Sequence, residues 1–142
     1  MASSRRSKVR VSVEVSLAAP AARVWALIGG FDALPEWYPG VVSSRLEAGG
    51  RVRRLRAGKF VFVETLRAYD DRRMSYSYTM EEAGPEPVAD YRSTLRVGRR
   101  GKGSTVRWSA EFRPKGASAA KAKRVIGDAF AKGLAGLKEK FG

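Results

Sequence analysis

Apolar and polar positions alternate strictly from the ninth residue onward. Val9, Val11, Val13, Val15 and Leu17 alternate with Arg10, Ser12, Glu14 and Ser16, the pattern of a strand with one buried face. The period then changes. Pro20 opens a short helix, since proline fits the first helical turn. Val24, Trp25 and Ile28 give that helix an apolar side, and Gly29-Gly30 ends it. A second helical turn is predicted over 31–37, stopped by Pro39. Period two then returns. Strands are predicted over 41–47, 51–57, 60–69, 74–80, 90–98 and 105–113, separated by glycine-, proline- and aspartate-bearing turns. Pro114 and Gly116 break the last strand. Ser118 then caps a long helix that runs to Phe141, with Ile126, Phe130, Leu134, Leu137 and Phe141 on one face and lysines and Arg124 on the other.

This order implies an α+β domain: a curved antiparallel seven-stranded sheet around a long C-terminal helix, with two short helices after the first strand. Only the last helix is long enough to cover the apolar face of such a sheet. A cavity is expected between the two. Gly127, Gly133 and Gly136 weaken the helix by propensity but allow close approach or free volume beside that cavity. Residues 1–7 read as a disordered basic N-terminus and 8–142 as a single ligand-binding domain.

Turn chemistry sets the expected registers. A two-residue loop at Gly58-Lys59 pairs Ala57 with Phe60, Leu55 with Phe62 and Arg53 with Glu64. A three-residue loop at 70–72 pairs Ala68 with Met74, Leu66 with Tyr76 and Glu64 with Tyr78. A turn at Gly101-Lys102 pairs Val97 with Val106, Leu95 with Trp108 and Tyr91 with Phe112. The simplest remaining alignment sets Ser93 beside Tyr78. Opposite residues of an antiparallel pair share a face. The concave side therefore carries Phe62, Leu66 and Leu95 together with a polar row of Arg53, Glu64, Tyr78 and Ser93. An apolar chamber crossed by a short polar row is what a small-ligand pocket needs.

Each candidate has a plainer role beside this one. Arg53 and Glu64 also make sense as an ion pair that pins two strands. Tyr76, Tyr78 and Tyr91 could be core residues with satisfied hydroxyls, but three on one concave face are many for a dry core. Trp25 reads as core. Trp37 either plugs the core end or gates the pocket. Trp108 reads first as core and second as wall, and Ile126, Phe130 and Leu134 supply the helix side.

Composition narrows the chemistry. The 142 residues contain no cysteine and no histidine. Disulfides, thiolate nucleophiles, a Ser–His–Asp triad and an ordinary zinc site are excluded. No metal and no cofactor is called for. No apolar run reaches the length of a membrane span, and the polar, basic start is no secretory signal. A cytoplasmic protein is expected. The net charge of +14 is spread along the chain. It reads as a solubilising surface rather than a compact basic stripe with exposed aromatics, so nucleic acid is not the expected partner. An anionic membrane surface remains compatible with it.

Several segments resemble the polyketide cyclase/dehydrase and lipid-transport superfamily, the START-like, birch-pollen-allergen-like, helix-grip group. They are Ala19-Pro20-Ala21-Ala22-Arg23-Val24-Trp25, residues 31–37 with Pro39, Gly50-Arg51-Val52-Arg53, Glu64-Thr65-Leu66 followed by Asp70, Ser75-Tyr76-Ser77-Tyr78, Tyr91-Arg92-Ser93-Thr94-Leu95, and Trp108 with Phe112. The likeness runs from about Val9 to Phe141 and implies the helix-grip fold. Plant abscisic-acid receptors belong to the same group. On their pattern Glu64, Tyr91 and Ser93 fall on positions resembling polar pocket residues, and Tyr76 and Tyr78 on apolar ones. The receptors' pocket lysine would fall near Val42 or Ser43, and their gate and latch are replaced by Ala57-Gly58-Lys59 and Glu86-Pro87-Val88. A hormone-receptor role is not implied.

Three functions are open at this level. The first is binding of a small hydrophobic ligand of lipid, polyketide or aromatic type. The second is a cyclase or dehydratase with Glu64 as base and Tyr78 or Arg53 stabilising an enolate oxygen. The third is a basic module for nucleic acid or anionic lipid.

Overall fold

The computed structural model describes residues 8–142, so the expected N-terminal segment 1–7 lies outside the described residues. Strand β1 (Val9–Leu17) is followed by the short helices α1 (Ala21–Ile28) and α2 (Leu34–Trp37). Then come β2 (Ser43–Glu47), a 3-10 turn (Ala48–Gly50), β3 (Val52–Ala57), β4 (Phe60–Asp70), β5 (Ser75–Ala83), β6 (Val88–Arg100), β7 (Gly103–Pro114) and the long helix α3 (Ala119–Phe141). The seven strands form one antiparallel sheet in the order β1-β7-β6-β5-β4-β3-β2. Only β1 leaves chain order, pairing with β7.

Helix α3 covers the concave face with Ala122, Ile126, Phe130, Gly133, Leu134 and Leu137. Ser118 caps it as the sequence predicts, its side chain accepting from the Lys121 amide at 3.1 Å. Where a ring lies directly against the helix, only glycine fits. A Cβ on Gly133 would stand 2.6 Å from a Tyr38 ring carbon and 2.8 Å from one of Trp108.

Two of the three expected hairpin registers are found. Across β3 and β4, Arg53 pairs with Glu64, Leu55 with Phe62 and Ala57 with Phe60, around a turn where Gly58 takes φ +59°. Across β6 and β7, Leu95 pairs with Trp108 and Val97 with Val106. Near Asp90 (φ +52°) the ladder shifts, yet the Tyr91 and Phe112 rings still stack 6.0 Å apart.

The register between β4 and β5 differs from expectation. Glu64 faces Met80, Leu66 faces Tyr78 and Tyr69 faces Tyr76. Two local features cause this. The reversal takes four residues, 71–74, with Met74 at φ +53° and the Arg73 amide donating to Asp70 Oδ1 at 3.0 Å. The ladder also skips Arg67, a bulge between Leu66 and Ala68. Glu64 and Tyr78 therefore share a face but stand diagonally. The other half of the polar row, Tyr78 beside Ser93, has the expected register.

Candidate functional site

A chamber of about 280 Å³ lies between the concave face and α3. Alternation along β3 sends Arg53, Leu55 and Ala57 into it, and alternation along β4 sends Phe60, Phe62 and Glu64. Tyr78 and Met80 of β5, Tyr91 of β6 and Trp108 of β7 complete the sheet side. Ile126, Ala129, Phe130 and Lys132 of α3 form the facing wall. Leu34, the loop Tyr38-Pro39-Gly40-Val41, and Pro85 and Glu86 between β5 and β6 surround the remainder. A larger hollow of about 1350 Å³ is a groove beside the β5–β6 loop, lined by charged residues including Lys59, Arg67, Glu81, Glu82, Arg92 and Lys115. Phe60, Val61, Met80, Val88 and Tyr91 line it too, so its walls mix apolar and charged groups.

The chamber's polar centre is the Arg53–Glu64 pair. Arg53 is fully buried. Its Nε donates to Glu64 Oε1 at 2.7 Å, and Nη2 lies 2.7 Å from the same oxygen in the ion pair. Nη2 has no well-aligned hydrogen bond of its own. Nη1 donates to the Phe31 carbonyl at 3.0 Å and to the Tyr76 hydroxyl at 3.2 Å. The guanidinium carbon also lies over the rings of Phe31 and Tyr78, at 4.3 and 4.7 Å. Arg53 is thus enclosed by protein, with Nη2 alone lacking a well-aligned partner.

Glu64 is not. Its Oε1 is taken by Arg53, but Oε2 accepts no hydrogen bond from any described residue and is not sealed from the chamber. Burial pushes its carboxyl up from the ordinary range, and the Arg53 guanidinium pulls the other way.

The phenols form the second polar group. Trp108 Nε1 donates to the Tyr78 hydroxyl and to Ser93 Oγ, each at 3.1 Å. Ser93 Oγ donates to the Ser109 carbonyl at 2.8 Å. The Tyr78 and Tyr91 rings stand 6.2 Å apart. Burial, with Glu64 and the neighbouring phenol in support, raises both hydroxyls far above the usual tyrosine value, so they stay protonated and can donate. Tyr38 donates its hydroxyl to the Ala129 carbonyl at 2.7 Å, tying the α2–β2 loop to α3. Burial and the nearby Glu86 carboxylate push that phenol up to about 12. Among the described residues no three metal-ligating side chains come together.

Eight of the twelve residues singled out from the sequence line the chamber: Arg53, Phe62, Glu64, Tyr78, Tyr91, Trp108, Ile126 and Phe130. The other four do not. Tyr76 packs between Trp25, Phe31 and Tyr69, because the four-residue reversal at 71–74 sets it opposite Tyr69 instead of Leu66. Ser93 sits behind Trp108, its hydroxyl already engaged. Trp37 packs on Trp108 at 5.5 Å and is core. Leu134 lies one turn past Phe130 and is buried away from the space. Of the wall residues not foreseen, Leu55 and Ala57 share Arg53's alternation and were readable. Met80 shares the alternation of Tyr78 and was readable too. Tyr38, Glu86 and Lys132 come from loops or from the helix's polar face, where no periodic signal marks them.

Comparison with known proteins agrees with this fold. The family model described as polyketide cyclase / dehydrase and lipid transport matches residues 8–142. The solved structure of the protein XoxI from Bacillus cereus is 32% identical over 94% of this chain and 95% of that one, with a TM-score of 0.90. A putative uncharacterized protein from Bacillus thuringiensis is 33% identical over 94% and 98%, with a TM-score of 0.91. Ara h 8.0201, 17% identical over 94% and 97% with a TM-score of 0.72, shares the fold. No curated protein matches the chain.

Proposed function

Because this chain belongs to the polyketide cyclase/dehydrase and lipid-transport family, we propose that its chamber binds one small, mainly hydrophobic molecule. The observation that carries this reading is the unpaired Glu64 Oε2 inside a mainly apolar space. A carboxylate buried only to pin two strands gains from satisfying both oxygens, since an unmet buried acceptor is costly. Here one oxygen is left for an occupant. Trp108, Phe130, Phe62 and Leu55 supply apolar contact, and Tyr78 and Tyr91 supply donors. At about 280 Å³ the space is small for its class and suits a compact ligand rather than a two-chain lipid.

The test is a heteronuclear NMR titration with a panel of compact aromatic and short aliphatic compounds. Binding should move resonances of Ile126, Phe130 and Trp108. An Ala129→Phe variant, which fills the chamber from the helix side, should lose the response. Retained binding in that folded variant would place the ligand elsewhere.

A second reading rests on the same oxygen. A carboxylate raised by burial and open on one side can abstract a proton from a carbon acid, whereas the Arg53 contact lowers its basicity. Turnover of any discovered substrate by Glu64→Gln at the wild-type rate would remove that reading.

A further inference from the structure

The charges around the chamber constrain the occupant further, granted the binding function proposed above. The inner end holds one cation and one anion, Arg53 and Glu64, already paired at 2.7 Å. Lys132 and Glu86 contribute one charge of each sign from the α3 wall and the β5–β6 loop. An anionic group brought to the inner end would meet the free Glu64 Oε2, while Arg53, though it borders the chamber, has no exposed surface, and Nη2, its one nitrogen without a well-aligned bond, is buried out of reach. A cationic group could reach Oε2, but only at the cost of standing close to the Arg53 guanidinium in a space with little water to screen the two. A neutral donor has neither conflict. It satisfies Oε2 with a charge-assisted hydrogen bond.

Shape points the same way. Trp108 and Phe130 stack in parallel, with centroids 4.5 Å apart and planes 12° apart, and Tyr38 meets Trp108 edge-on. That stack closes the gap between sheet and helix, and the aromatic surface left to an occupant comes mainly from Phe60, Phe62, Tyr78 and Tyr91. The Tyr78 and Tyr91 hydroxyls lie on the sheet side with Glu64, whereas Lys132 and Glu86 approach from the helix and the β5–β6 loop.

We propose that the occupant is an uncharged molecule of one or two rings that presents a hydroxyl or ring N–H donor to Glu64 Oε2, with the rest of it against aromatic walls. The structure thus selects against carboxylates and ammonium groups at the inner end.

A probe series tests this on the wild-type protein: naphthol, naphthalene, methoxynaphthalene, naphthoate and naphthylmethylamine, each titrated by calorimetry and NMR at neutral pH. Naphthol should bind about ten-fold or more tighter than naphthalene or methoxynaphthalene, the usual worth of a hydrogen bond to a charged group. Naphthoate and naphthylmethylamine should bind more weakly than naphthol. Glu64→Gln, if folded, should narrow the naphthol preference, because its acceptor is neutral; if it does not fold, the wild-type ratios decide alone. Equal binding of naphthol and methoxynaphthalene, or tightest binding of naphthoate or naphthylmethylamine, overturns the inference while leaving a binding chamber in place. Failure of all five probes and of the wider panel to shift chamber resonances would remove the binding function itself.

Discussion

Arg53 holds Phe31 twice. Its Nη1 donates to the Phe31 carbonyl at 3.0 Å, and its guanidinium carbon lies 4.3 Å from the centre of the Phe31 ring. One side chain on β3 thereby fixes the connection between the two short helices, while its other edge fixes Glu64 on β4. The site and the packing of α1 and α2 on the sheet share a single residue.

Replacing Arg53 with methionine should therefore be among the most destabilising single changes in the chain. It leaves a buried carboxylate and a buried carbonyl without partners, a loss of about 3–5 kcal/mol. Arg53→Met combined with Glu64→Leu should recover much of that stability, because no charge is then left unpaired. Chemical denaturation of the two variants measures both, and a double variant no more stable than Arg53→Met would show that the Phe31 contacts dominate.

Two glycines in α3 should respond in opposite directions to alanine. At Gly133 the new methyl meets two aromatic rings closer than 3.0 Å, and rings in a packed core cannot swing aside. Overpacking of about 1–3 kcal/mol outweighs the helix-propensity gain. At Gly127 the nearest atom is Val11 Cγ1 at 3.7 Å, an ordinary contact. There the propensity gain remains, and Gly127→Ala should stabilise by about 0.5–1 kcal/mol. Thermal melts of the two variants give the comparison.

Ser93 and Tyr91 separate structure from binding. Ser93→Ala removes the donor to the Ser109 carbonyl and one acceptor for Trp108, at roughly 1–2 kcal/mol of stability. It should leave the affinity of any chamber ligand nearly unchanged, since Ser93 lies behind the wall. Tyr91→Phe should do the reverse, with small loss of stability and weaker binding of donor- or acceptor-bearing ligands. Paired calorimetry and melting data distinguish the two.

Tyr38 predicts an alkaline transition. Its phenol is raised from the ordinary value of 10.0 to about 12 in the folded protein. A group raised on folding contributes stability that is complete below its unfolded value and lost as pH climbs through the folded one. The contribution should be intact up to about pH 10 and fade toward pH 12. Tyr38→Phe loses the bond to Ala129 at all pH values, so its stability curve should be flatter across that window. A parallel curve would mean that the hydroxyl does not titrate with folding.

The sequence by itself determined the element order, the face each strand buries, and the pairing of Arg53 with Glu64. The reason is local. Alternation has period two, the helix face has its own spacing, and a two-residue turn with glycine at positive φ admits one register. The same local logic failed at the β4–β5 reversal. The extra turn residue, Met74 at φ +53°, and the bulge at Arg67 have no turn signature in residues 70–72. That shift set Tyr76 opposite Tyr69, outside the chamber lining. Only the tertiary structure decided which carboxylate oxygen of Glu64 stays free, that Ser93 lies behind Trp108, and that Tyr38, Glu86 and Lys132 help line the chamber. Those outcomes depend on distances between segments far apart in the chain, which no periodic pattern along it encodes.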